Sequence, residues 1–300
     1  MTIPQAEPIS DDNAAGGRGS LPLEVTAFLP TTGRRWYRDP LLMTGVIIVG
    51  ISLFLAAFGE SIAPYDPQVP VGPPSVPPSS EFWFGTDSSG LDVFSRTISA
   101  PRTDVTLAVT AAVLSAVLGT AIGLIAGFYR GPLSGLIMRV SDVLQAFPVF
   151  ILAMVLVALS GRNLTNLIFA LTFLYTPIFI RLTRTEVLTH RERSYVEAAR
   201  AIGNPNWRIA LRHVLPNSLT PSLVQLSVTV GFGILLTAGL SFVGAGVRPP
   251  TPEWGLMIAN EAPKLVLGEW WPSIFPGIAV SLTVLGFAAL SNAIERRVAS

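Results

Sequence analysis

The chain contains no cysteine and only two histidines. The first absence excludes disulfides and thiolate metal sites, and the second leaves any metal site to rest mostly on carboxylates. Charge is scarce as well: 13% of the 300 residues are Asp, Glu, Lys or Arg, against about 25% in ordinary soluble domains. With a net charge of +1 and no basic patch interleaved with aromatics, nothing points to a nucleic-acid partner. No phosphate-cradling G-x-x-x-x-G-K-[ST] loop, H-E-x-x-H helix or G-x-S-x-G elbow occurs, so no catalytic residue or metal ligand is expected. An N-terminal apolar signal segment is missing too. Residues 1–33 are polar, acidic and contain Gly, Pro and Ser, and 1–39 is expected to be a disordered tail.

What is present in quantity is apolar surface: 50% of the residues are hydrophobic and the mean hydropathy is +0.55. A membrane-spanning helix needs about 20 apolar residues. Six segments approach that length: Leu41–Gly59, Val105–Phe128, Val143–Ser160, Leu164–Ile180, a stretch within Val214–Val247, and Pro272–Ile294. The expected fold is therefore an all-α polytopic membrane protein with six transmembrane helices. Its first span is 40–63, followed by an extracytoplasmic strap and short helix at 64–103, a core at 104–295 and a short C-terminus at 296–300. Six spans put both termini on one side with the loops near 129–142 and 181–213. That side holds fifteen of the twenty Lys and Arg residues, so it is expected to face the cytoplasm. None of the six apolar cores contains an ionisable residue. Intramembrane charges mark ion and proton relays, so a proton-coupled pump is disfavoured. An intramembrane enzyme is disfavoured too, because acid–base chemistry needs such groups.

The stretch "SYVEAARAIGNPNWRIALRHVLPNSL" interrupts this pattern between the fourth and fifth spans. Good helix formers run from Arg193 to Ile202, Gly203 suits the position after a helix end, and Asn204-Pro205 stops the helix. Asn206 is placed to cap a second helix over about Trp207–Leu215, ending before Pro216. Tyr195, Ala198, Ala199 and Ile202 fall on one face by i, i+3, i+4 spacing, and the two alanines make that face smooth. Glu197 and Arg200 are spaced for an ion pair. Such a face fits a docking surface for another protein; it equally fits an amphipathic hairpin lying on headgroups or packed beneath its own bundle.

Other constellations also have two readings. "GTDSSGLDVFSR" places Asp87, Asp92 and Arg96 on the outer side, as a substrate funnel or binding-protein dock, or as a capped surface helix with an Asp92–Arg96 pair. Trp254, Trp270 and Trp271 suit a membrane–water interface, around a short helix near Met257–Ala262. Gly231, Gly233 and Thr237 on the fifth span suit a conduit or tight helix packing. Arg139 and Asp142 are spaced as a pair at the inner interface. His190 and His213 have no metal-ligand company.

"EAARAIG" followed by "HVLPNSLTP" resembles the EAA loop of ABC-importer permeases, with Glu197, Ala198, Ala199, Gly203, Leu215 and Pro216 in matching positions. "APYDP", "FGTDSSGLDVFSR", "LTNLIFAL", "LSFVGAGVRPPTPEWG" and "FPGIAVSLTVLGF" are similar to segments of the C-type permease of dipeptide and oligopeptide importers, a family that includes nickel and glutathione permeases. The resemblance implies a type I importer permease fold with a cytoplasmic coupling helix, within a coupling loop at about 184–216. Its implied seat in a partner ATPase involves Tyr195, Glu197, Ala198, Ala199, Arg200, Ile202, Gly203 and Pro216. It further implies a bacterial inner-membrane location and a heterodimer with a homologous B-type permease. Two cytosolic ATPases would carry ATP and Mg, so this chain needs no cofactor. An extracytoplasmic peptide-binding protein would contact Asp87, Asp92, Arg96 and Trp254. Short peptides are the implied solute, with nickel or another small solute as the alternative; a stand-alone channel or secondary carrier remains the reading from another class. Two departures are notable. Leu91 stands where the family has Arg, and Thr237 stands where it often has Glu.

Overall fold

The computed structural model describes residues 40–129 and 131–299; the expected tail at 1–39 and Arg130 lie outside them. Among the described residues, five helices are long and apolar enough to cross a membrane: α1 (Pro40–Ile62), α2 (Val93–Phe128), α5 (Leu164–His190), α9 (Thr220–Phe242) and α11 (Trp271–Ala299). The sixth expected span is instead two helices, α3 (Pro132–Ala146) and α4 (Val149–Ser160), bent by 94°. The cause lies in the sequence. Pro148 has no N–H to donate, and its ring disfavours helical geometry at Phe147, which accordingly sits at φ −84°, ψ 142°. Counted as one broken span, the pair makes six.

Two more boundaries differ from the sequence reading. At 36 residues, or about 54 Å at 1.5 Å per residue, α2 is longer than a bilayer core needs. The outer segment beginning at Val93 is thus no separate surface helix but the first turns of the span, continuing through Pro101. Likewise α5 runs on past Ile180 to His190, so Arg181 and Arg184 project from helix rather than loop. Asp142 pairs across to Arg181 at 2.6 Å instead of with Arg139.

Packing follows small residues. On α2, Gly119, Gly123 and Gly127 recur every fourth position and face α5. A Cβ on Gly123 would stand 2.7 Å from the Ile180 carbonyl oxygen, and one on Gly119 would stand 2.7 Å from that of Thr176. Lipid gives no hydrophobic drive for helices to associate, so close backbone approach through such residues supplies the dispersion contacts that do. Gly45 likewise lets α1 touch α11, where a Cβ would stand 2.7 Å from the Leu290 amide nitrogen. A buried polar link between these two helices joins the Ser52 and Thr283 hydroxyls at 3.1 Å. Meanwhile Val46, Ile47, Ile51, Phe54 and Phe58 of α1 are exposed, the pattern of a helix whose solvent is hydrocarbon.

Outside the bundle, residues 63–92 form an irregular strap. Between α9 and α11, α10 (Trp254–Glu261) is followed by a 3-10 turn, Ala262–Leu267. The tryptophans of this layer are not a belt. Trp254 and Trp271 are buried and donate their Nε1–H to the carbonyls of Thr97 (3.0 Å) and Thr86 (3.1 Å), leaving Trp270 exposed.

Candidate functional site

The insert between α5 and α9 is built on a buried seam. Val196 and Ala199 of α6 (Ser194–Ala201) pack with Ile209, Ala210 and Val214 against Leu124 and Phe128 at the end of α2 and Val187 of α5. Arg191 fastens the same corner. Its buried Nη1 donates to the carbonyls of Gly127 (2.8 Å) and Phe128 (3.0 Å), the unsatisfied C-terminal acceptors of α2. The insert is therefore a rigid continuation of two spans.

The end of α6 is a Schellman turn. The Asn204 amide donates to the Ala199 carbonyl (3.2 Å), the Gly203 amide donates to Arg200 (2.9 Å), and Gly203 sits at φ +82°. The second helix departs from expectation at both ends. Asn206 is its first residue and caps nothing, while Pro205 occupies the cap position. Nor does it stop before Pro216: α7 (Asn206–Ile209) passes through a π turn, Ala210–Val214, into α8 (Leu215–Ser218). The wider turn accommodates the proline, which lacks an N–H and crowds the preceding carbonyls. Leu215 donates to Ala210, five residues back.

The face that this scaffold presents differs from the predicted one. Ala199 turns inward, while Tyr195, Glu197, Ala198, Arg200, Ile202, Gly203 and Pro216 are exposed. Ile202 is 80% exposed, an unfavourable position for a large apolar side chain in water. Glu197 and Arg200 form no ion pair, and the Tyr195 hydroxyl instead meets His190 Nδ1 at 3.2 Å. Two residues that sequence reasoning missed add exposed apolar surface to the insert: Trp207 (58% exposed) and Leu211 (52%). Arg208 lies over the Trp207 ring. A tryptophan inside a polar insert was the available signal.

At the end of the bundle that carries the strap, a cavity of about 290 Å³ is lined by Asp87, Ser88, Arg96, Asn260 and Glu261, among others. Arg96 does not pair with Asp92. Its Nη1 donates to the carbonyls of Pro67 (2.8 Å) and Pro250 (3.1 Å), and its Nε lies 3.8 Å from Asp87. Asp87 accepts from the amides of Ser89 and Leu91; burial nevertheless lifts its carboxyl above the ordinary range. Glu261 accepts from the Ser88 hydroxyl and lies 3.5 Å from Lys264. Asp92 is fully buried as the N-cap of α2, accepting from the Ser95 amide at 2.7 Å. With Trp254 also buried, neither offers a surface to an incoming molecule.

The residues singled out for a pathway sit in different surroundings. Gly233 faces Ala108 and Tyr175, and the Thr237 hydroxyl donates to the Gly233 carbonyl (2.8 Å), both inside this chain's own packing. Gly231 lines a cleft of about 260 Å³ between α9 and α11, together with Phe232, Asn292 and Glu295.

Residues 119–300 match the family described as binding-protein-dependent transport system inner membrane component. Residues 31–78 match the N-terminal TM domain of oligopeptide transport permease C. The chain is 34% identical over 258 residues, 86% of each chain, to a probable D,D-dipeptide transport system permease protein of Escherichia coli (strain K12). It is 37% identical over 264 residues, 87% of each chain, to a glutathione transport system permease protein of Escherichia coli O6:K15:H31 (strain 536 / UPEC). With its apolar helices and a family match over most of its length, the chain belongs to the inner-membrane components of binding-protein-dependent transport systems, as a multi-pass permease subunit.

Proposed function

We propose that this permease carries short peptides into the cytoplasm as half of an ATP-driven importer. Its partners in this reading are a homologous B-type permease, two cytosolic ATPases that bind ATP and Mg, and an extracytoplasmic peptide-binding protein. The chain itself is non-catalytic and holds no cofactor. The dipeptide and glutathione permeases among its relatives support the solute class. Thr237, in place of a carboxylate, gives no support to a metal cation as cargo. Both termini are cytoplasmic, supported by the Arg distribution and by counting the bent α3–α4 pair as one crossing. At the outer face, the cavity bearing Asp87, Arg96 and Glu261 receives the binding protein or its peptide.

The observation that carries the proposal is the group of exposed apolar side chains Tyr195, Ala198, Ile202, Trp207 and Leu211, mounted on the ends of α2 and α5. A partner ATPase that grips this face with different strength in its open and closed states shifts the equilibrium between inward- and outward-facing bundles. The test replaces exposed Ala198 with Asp in the assembled transporter. The variant is expected to insert normally but to lose peptide uptake and peptide-stimulated ATP hydrolysis. Unchanged uptake would refute the coupling role, and uptake by the chain alone, without ATPases, would refute the importer reading.

A further inference from the structure

Two carboxyl groups have no part in either surface described so far. Asp104 lies toward the outer end of α2, and Glu253 immediately precedes α10; they are 1% and 0% exposed. Glu253 caps α10, accepting from the amides of Gly255 (2.9 Å) and Leu256 (2.6 Å). Asp104 Oδ2 accepts from the Trp254 amide at 3.1 Å. Its Oδ1, wholly buried, has no donor, and neither does the buried Ser241 hydroxyl of α9 have a partner of good geometry. Glu253 immediately precedes Trp254, so the two buried carboxyls are neighbours across that amide contact, and Ser241 stands beside Glu253.

The surroundings offer no compensating cation. Among the described residues, neither carboxyl takes part in an ion pair; Arg96 and Lys264 of the same outer layer are engaged with Asp87 and Glu261. From α9 the facing group is Ser241, and from α10 the amides of Gly255 and Leu256. Two ionised carboxylates side by side in a dry site repel each other strongly, so such pairs retain one proton.

We propose that Asp104 and Glu253 form a proton-binding site, one proton shared between them latching the α10 hairpin to α2. The proton gives Oδ1 of Asp104 its missing partner. Burial pushes the Glu253 carboxyl above its ordinary range, in keeping with this. Because the folded chain keeps a proton that the unfolded chain releases in the ordinary carboxyl range, the stabilisation is complete below that range. It diminishes as pH rises until the pair ionises.

The test compares the assembled transporter with its Asp104→Asn form, in which the amide still donates to Glu253 but holds no titrating proton. Infrared spectra in heavy water at neutral pH are expected to show a protonated-carboxyl band that the substitution removes. The folding equilibrium constant of the unsubstituted protein should fall up to about tenfold more per pH unit than that of the variant, one proton's worth. Absence of the band, its persistence in the variant, or stabilisation by added sodium, potassium or calcium that the substitution abolishes would overturn the proposal, the last by replacing the proton with a cation. Should the variant fail to assemble, the unsubstituted protein decides alone: a band that disappears on alkaline titration supports the site, and its absence refutes it.

Discussion

Replacing Gly203 with alanine isolates one backbone term at the coupling face. The glycine holds φ +82°, and a Cβ built there meets nothing within 4 Å. No steric clash confuses the result, so only the left-handed conformation is penalised, by about 1–2 kcal/mol for an L residue. Taking ~1 kcal/mol as the net, the closed turn becomes about fivefold less populated relative to its locally opened form. Amide hydrogen exchange in the assembled transporter reads this directly. Exchange across 194–204 should accelerate about fivefold, while 105–128 of α2 stays unchanged. Gly203→Asn should do less harm, because Asn tolerates the left-handed region. Unaltered exchange in the alanine form, or equal effects of Ala and Asn, would show that the bend does not depend on this φ and would remove the argument for glycine there.

Arg191→Met strips the buried C-terminal carbonyls of α2 of a charged donor and is expected to cost about 2–3 kcal/mol; thermal unfolding of the complex measures it, with Arg191→Lys recovering part. Gly123→Leu, forced against the Ile180 backbone, should destabilise by at least ~1–3 kcal/mol through overpacking. Gly135→Leu, at a position with open space around it, should not; equal stabilities would deny the glycine-mediated contact. Trp207→Ala leaves the buried seam intact and should weaken co-purification of the ATPases with the permease, whereas Val196→Asp, inside the seam, should prevent the insert from forming at all.

Much of this architecture is legible in the sequence because hydrophobicity over about twenty residues is a strong, local signal. The insert was legible too, since Gly203-Asn204-Pro205 is punctuation with a conformational cause. What the sequence concealed depends on three-dimensional neighbours. Pro148 could have been tolerated within a straight span, like Pro101 in α2 or Pro177 in α5, and only the structure shows the break there. Helical spacing put Ala199 beside Ala198 on the presented face, but the seam with Leu124 and Phe128 turns it inward. Asp104 escaped notice because it stands one residue before the apolar run, and Glu253 is 149 positions further along the chain.

These missed contacts all meet on one element. At its N-terminal end α2 carries the Asp92 cap, the Thr97 carbonyl that accepts from the Trp254 indole, and Asp104, which accepts from the Trp254 amide. Its inner end supplies Leu124 and Phe128 to the insert and its last carbonyls to Arg191. Between them lies an unbroken helix of 36 residues, fastened along α5 through Gly119, Gly123 and Gly127. A helix transmits displacement along its length without storing much of it, because its hydrogen bonds and close-packed neighbours deform little. A force applied to the exposed face of α6 therefore cannot be absorbed in the loop; it must move α2 and α5 together. The α10 segment, tied to the far end of α2 through Trp254, then moves with them. This predicts that crosslinking α10 to α2, across Met257 and Val93 in their shared cluster, leaves peptide transport intact; loss of transport on crosslinking would refute the joint movement.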